Sequence, residues 1–378
     1  MSTTASSPMT TADWVALSRS IGEALQTGAA ERDRTGEIAR GAFERLRATG
    51  ITSALVPAES GGGGATHAEM GAILREIGRH DPSVAVTLAM HSHVLAAQVW
   101  RHKHGQDAER LFRKVVDDRA LLLSSGASDW VGANGSARKV DGGYRVHARK
   151  SPVSGSEVGD ILVTSIRWEG APGGPQVMHC SVPMNADGLT IDRTWDTLGL
   201  RATGSHTVVL DDVLVPDAAI SLIRPADQWH PIWNTVLGVA MPLIMSAYVG
   251  IADAALAAAL RITAGRTDGH SLQVLGEMMN AHTVGADMVD AMFREADNLQ
   301  FANTDDIASR TLSRKTAAAE SLIHAVRLAM EAAGGTGYSR TSEIERLYRD
   351  VHGSLYHPLP RAKQTQFTGR VMLGLSPV

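Results

Sequence analysis

The hydrophobic pattern of this chain changes period twice, and any fold must accommodate the three blocks in that order. From about residue 13 to 120 the apolar positions recur every three to four residues. Ile38, Ala42, Phe43 and Leu46 share one helical face, and Met70, Ile73, Leu74 and Ile77 another, the spacing of amphipathic helices. From 121 to 226 the period drops to two: 143–148, 161–166 and 207–215 alternate as strands, separated by short Gly, Asp and Pro clusters, which predicts a compact sandwich or barrel. From 227 to 378 the helices return, long and alanine-rich, over 239–264, 275–300 and 308–333. Three such helices in succession predict an antiparallel bundle. Residues 1–12 are expected to form a disordered polar lead, because they carry neither the basic start nor the apolar core of a signal peptide.

Composition narrows the partners. The 378 residues carry a net charge of −4, which argues against nucleic acid or an anionic membrane as the main partner, since both select basic surfaces. Cys180 is the single cysteine, so neither an intrachain disulfide nor a multi-thiolate metal site can form. It lies in the alternating stretch 177–182 and is expected to be an inert strand residue. The apolar run 236–258 is interrupted by Pro242, Asp253 and two glycines, so a buried helix is expected there rather than a membrane span. A cytoplasmic protein fits these readings.

Residues at the joints between the blocks carry a resemblance. Val56-Pro57 with the glycine run 61–64, then Glu76-Ile77-Gly78-Arg79 and Asp81-Pro82-Ser83, stand in the first block. Gly199-Leu200-Arg201-Ala202-Thr203-Gly204-Ser205-His206 and Val213-Leu214-Val215-Pro216 close the second. Ala333-Gly334-Gly335-Thr336-Gly337-Tyr338 and Glu345-Arg346-Leu347-Tyr348-Arg349-Asp350 stand in the third. In this order the segments resemble the acyl-CoA dehydrogenase superfamily over nearly the whole chain. The resemblance implies a mainly α fold with a central β domain, namely an N-terminal helical domain, a middle β-barrel or sandwich, and a C-terminal four-helix bundle. It also implies a flavin between the β domain and the bundle, and a homotetramer or dimer. On the same match Ser154 contacts the flavin ring, Ser124, Ser125 and Ser128 form a cofactor loop, and Gly334, Gly335 and Gly337 allow close approach of the cofactor or a neighbouring subunit. Arg266 matches the arginine that meets a neighbour's cofactor, but its register is off by one. FMN, which lacks the adenylate half, is therefore as open as FAD.

The chain departs from a dehydrogenase where the chemistry sits. A dehydrogenase of this family needs a carboxylate base, yet 352–360 contains no Glu or Asp, and Asn234 stands at the other usual position. Histidines appear instead: His91, with His93 as competitor, and His357. Both places resemble those where the flavin-dependent monooxygenase branch carries histidine, a branch supplied with reduced flavin by a separate reductase. An oxygen-activating site needs a proton source and shielding from water, and a group with a pKa of roughly 6.5 can give or take a proton near neutrality. The reading is therefore a flavin-dependent monooxygenase acting on a small organic substrate, with His91 and His357 catalytic and Trp229, Trp233 and Tyr356 lining the substrate pocket. No metal site is expected, because His91 and His93 point to different helix faces with no third ligand at familiar spacing. Two alternatives remain open: an acyl-CoA or acyl-carrier-protein dehydrogenase with an unrecognised base, and an inactive binding or assembly subunit.

Overall fold

The computed structural model describes residues 9–125 and 129–378. Five helices open the chain: α1 (Thr11–Thr35), α2 (Arg40–Ala48), α3 (His67–His80), α4 (Pro82–Lys103) and α5 (Glu109–Val116). Their starts follow local chemistry. Thr10 with Asp13, and Thr66 with Glu69, form reciprocal capping boxes. Asp81 caps α4, whose first residue is Pro82, a position where a missing N–H costs nothing.

Eight strands follow: β1 (Leu122–Ser124), β2 (Ser136–Val140), β3 (Gly143–Val153), β4 (Ile161–Trp168), β5 (Gln176–Pro183), β6 (Leu189–Asp192), β7 (His206–Pro216) and β8 (Ile220–Pro225). They form two four-stranded sheets, ordered β1-β4-β5-β8 and β2-β3-β7-β6. Only β1 with β4 pairs in parallel among these ladders. Alternate residues such as Val146, Ile166, Met178, Val208 and Leu210 turn inward and make one core. Cys180 belongs to it, and burial pushes its thiol up to about 12, so the inert reading stands. The same domain buries an ion pair, Lys150 Nζ to Asp129 Oδ2 at 2.7 Å, with Ser165 Oγ also donating to Asp129.

The last block contains α6 (Ile232–Ile262), α7 (Gly269–Ala296), α8 (Asp305–Ala333), the single turn α9 (Gly335–Tyr338), α10 (Glu343–Val351) and α11 (Arg361–Met372). The apolar run is the centre of α6, and its most apolar window is 94% buried against the other helices. There α3 crosses it backbone to backbone. A Cβ at Gly250 would fall 2.2 Å from the Arg75 carbonyl oxygen, and one at Gly78 2.6 Å from that of Ala247.

The β domain docks on the bundle through the segments that carry the resemblance. Asp350 Oδ1 accepts the Leu200 N–H at 2.6 Å, and Arg349 pairs with Asp33 of α1 at 2.6 Å. Burial raises the Asp350 carboxyl to about 7. Its protonated form is therefore favoured by folding. That contribution to stability is complete below about pH 4 and is lost as pH rises through the folded value. Asp350→Asn keeps the acceptor and removes the titration. Thermal melts from pH 5 to 8 should show wild type losing stability relative to this variant; parallel curves would refute the assignment.

Candidate active site

Three layers meet at Leu200. On the β side, Ser154 Oγ lies 2.8 Å from Ser205 Oγ, and Ser205 Oγ lies 2.6 Å from Thr203 Oγ1. Thr203 in turn donates to the Leu200 carbonyl at 3.0 Å. A carbonyl can only accept. Each hydroxyl in this row therefore donates toward Leu200, and the partly buried Ser154 at the outer end keeps acceptor capacity for a ligand. From α4, Thr87 donates to the Thr203 carbonyl at 3.3 Å. From the bundle, Gly353 fits beneath Leu200 and Tyr248: a Cβ there would lie 2.5 Å from Leu200 Cδ1 and 2.7 Å from Tyr248 Oη.

Tyr248, on α6, reaches His357 Nε2 at 2.7 Å. Burial lifts its phenol well above the ordinary value, so Tyr248 keeps its proton, and among the described residues His357 Nε2 is the acceptor within reach of it. His357 must then carry its own proton on Nδ1. Burial, aided by the Lys315 ammonium and by His93, holds the imidazole down to about 3. At neutral pH His357 is accordingly a neutral donor at Nδ1, which corrects the sequence-based expectation of a group titrating near 6.5. Lys315, on α8, sends Nζ to the main-chain oxygens of His357 at 2.9 Å and Leu359 at 3.5 Å.

His91 is placed differently from expectation. Its Nδ1 accepts the Leu122 N–H at 2.9 Å and its Nε2 donates to the Thr52 carbonyl at 2.7 Å. Both nitrogens are spent on backbone, and the residue is 1% exposed. It fastens β1 to the N-terminal helices and has no ring atom left for chemistry. His93, two residues on, uses Nδ1 on the Ala89 carbonyl at 3.1 Å and is near enough to depress both His91 and His357. Of the two, His93 is the one with a nitrogen to spare.

Other expected site residues divide. Ser125 Oγ meets Thr164 Oγ1 at 2.6 Å beside β1, where Ser124 ends the strand; Ser128 lies outside the described residues. Trp229 and Trp233 join Trp130 in an aromatic wall, with Trp130 and Trp233 centroids 4.5 Å apart and Trp130 and Trp229 stacked at 6.1 Å. Tyr356 does not join them, since its side chain is turned outward and 75% exposed. Arg266 donates to the Ala332 carbonyl at 3.1 Å and so closes the end of α8 in its own chain. Gly334 and Gly335 face open space, whereas Gly337 packs on Ala333 and Met330. No cluster of metal-ligating side chains occurs among the described residues.

A flavin fits this arrangement. The hydroxyl row offers an acceptor from one side and His357 a donor from the other. Among the described residues nothing partners the buried Trp233 Nε1 and Ser354 Oγ, and such atoms are costly unless something bound satisfies them. At the other usual position of the base, Asn234 donates to Asp305 Oδ1 at 2.7 Å and accepts from the Trp229 indole at 3.3 Å, so its amide is held between two side chains.

A helical, β and helical order around such a site defines the class, that of flavin-dependent oxidoreductases. Residues 16–117 match the acyl-CoA dehydrogenase N-terminal domain and residues 231–354 its C-terminal domain. The chain belongs to the acyl-CoA dehydrogenase family. It is 31% identical over 375 residues to the amino sugar nitrososynthase DnmZ of Streptomyces peucetius, covering 93% of this chain and 90% of that protein. It is 27% identical to a dibenzothiophene monooxygenase of Rhodococcus qingshengii over 76% of this chain and 73% of the relative. KijD3, solved in complex with FMN and dTDP-3-amino-2,3,6-trideoxy-4-keto-3-methyl-D-glucose, superposes with a TM-score of 0.86 at 25% identity, covering 98% of this chain and 96% of KijD3.

Proposed function

We propose that the protein is a flavin-dependent monooxygenase that transfers one oxygen atom from O2 to a small organic substrate, at an electron-rich nitrogen or sulfur. The observation that carries this reading is His357. Where a dehydrogenase needs a carboxylate base, this chain holds a neutral imidazole whose ring is fixed by Tyr248 and whose pKa is held to about 3. A group that stays neutral is a poor base for removing a carbon-bound proton, but it is a steady hydrogen-bond donor. The names of the nitrososynthase and dibenzothiophene monooxygenase relatives support the same choice and suggest heteroatom oxidation.

In this reading Ser154 and Ser125 hold the flavin, and FMN is favoured because Arg266 is occupied within its own chain. Bound reduced flavin would supply the two electrons that activate oxygen. His357 offers its Nδ1 proton to the oxygen side of the site, and Tyr248 keeps the ring in that tautomer. His93 replaces His91 as the second imidazole. Trp229, Trp233 and Trp130 wall the pocket and exclude water. A separate reductase and a cytoplasmic location belong to the same reading. So does a homo-oligomer, which the exposed Leu272, Met279 and Val284 of α7 support.

Stopped-flow absorbance tests the reading. Protein loaded anaerobically with reduced FMN and mixed with oxygenated buffer should show a distinct species before oxidised flavin appears. Immediate reoxidation without it, together with bleaching of the oxidised enzyme by an acyl thioester, would restore the dehydrogenase reading.

A further inference from the structure

Lys315 is a buried cation without a counter-ion. It is 1% exposed, and among the described residues no carboxylate pairs with it. Glu295, a carboxylate on α7 that faces α8, is taken by Arg310 and Arg314. The position falls on the inward stripe of α8, in step with Ala308, Leu312, Ala319 and Leu322, where an alkyl side chain would pack without cost. Burying an ammonium there is unfavourable unless its protons are used. They are used on one segment: the oxygens of His357 and Leu359, on either side of Pro358.

We propose that Lys315 is the positioning residue of the site, fastening the 357–359 segment so that His357 meets Tyr248 and keeping a positive charge beside the ring that opposes its protonation. The inference rests on the reading that His357 serves the oxygen step. His357 is then held twice, through its main chain from α8 and through Nε2 from α6, and Nδ1 is the ring atom left to face a ligand. The groups that act on the ring are Lys315 from α8, Tyr248 from α6 and His93 from α4. Asp350 of α10 acts on Tyr248 instead. Burial lowers the Lys315 ammonium itself to about 8, so the charge is present at neutral pH and weakens in mild alkali.

The test uses histidine-labelled full-length protein and imidazole NMR, with the His357 signal identified by its loss in His357→Gln. In wild type that signal should not titrate between about pH 5 and 8. In Lys315→Met the onset of its titration should move to higher pH than in wild type, with burial still holding it below the ordinary value, and product formation should fall roughly tenfold, the scale of one lost charged hydrogen bond, with FMN affinity unchanged. Lys315→Gln can keep the tether without the charge. It is expected to move the titration as the Met variant does while retaining more activity, and it serves alone if the Met variant does not fold. A His357 titration unchanged from wild type in a folded variant, with product formation within a factor of about two of wild type, would overturn the proposal. Because the titration is read without flavin or oxygen, it stands apart from the monooxygenase reading: a shifted His357 titration in a protein that never oxygenates anything would sink that reading alone.

Discussion

His357→Ala is expected to lower oxygenated product by about 100-fold or more, the usual contribution of a positioned proton-handling group. FMN affinity should change little, because in the proposed reading the flavin is held by Ser154, which hydrogen-bonds within the β domain and not to His357. Reduced flavin would still be consumed, since oxygen reacts with it unaided, so the defect should appear as uncoupling: hydrogen peroxide in place of product. A product yield within tenfold of wild type would remove His357 from the chemistry. The pH dependence sharpens the expectation. With the imidazole held to about 3, wild type should show no limb near pH 6.5, the value of an ordinary histidine. Tyr248→Phe deletes the hydrogen bond that fixes the tautomer and should reproduce part of the loss.

Asp129→Ala is expected to destabilise the β domain by about 3–5 kcal/mol, because it strands a buried ammonium. Lys150 is 1% exposed and among the described residues has only the Asn134 carbonyl, at 3.2 Å, to fall back on. Replacing both partners, as in Asp129→Leu with Lys150→Met, should recover most of the loss, since the cost lies in the unpaired charge rather than in the absence of the pair. Urea melts of wild type and the two variants decide it. The neighbouring Arg224 is also fully buried and donates to the oxygens of Asp129, Trp130 and Val131. A single variant whose stability matches wild type would mean that these main-chain contacts alone hold the segment.

The architecture was legible because it is written in periodicity. The switch from 3.6 to 2 and back locates β3, β4 and β7 and the long helices α6, α7 and α8, although α6 begins at Ile232, earlier than its apolar pattern, and α7 ends at Ala296, short of it. The site was legible only in part. His357 and Ser154 stand in segments whose neighbours carry a pattern, so a resemblance reaches them. His91 and His93 are two residues apart on one helix, about 200° around it, and the sequence does not say which face looks inward. The structure gives His91 to the backbone. Tyr356 follows the same logic, being adjacent to His357 in sequence and directed away from it in space.

Tyr248 and Lys315 escaped notice for opposite reasons. Tyr248 is hidden in an apolar run, though a lone phenol there needs a partner and could have been flagged. Lys315 follows Arg314 in a helix rich in charge, and only the inward stripe of α8 marks it as out of place. Ser205 and Thr203 belong to a quoted motif, but their role depends on Leu200 offering its carbonyl, a matter of backbone direction that residue types do not encode.

The burial of Cys180 has a consequence for the working life of such a protein. Oxidative damage to cysteine proceeds through the thiolate and needs access. With the thiol inside the β core and pushed up to about 12, peroxide released in futile turnover meets no reactive sulfur there. Wear would instead accumulate on thioethers at the surface, with Met372 at 81% exposure the first in line. Met372 ends α11 with its side chain turned to solvent, so an ageing preparation should gain mass as sulfoxide before it loses its chemistry.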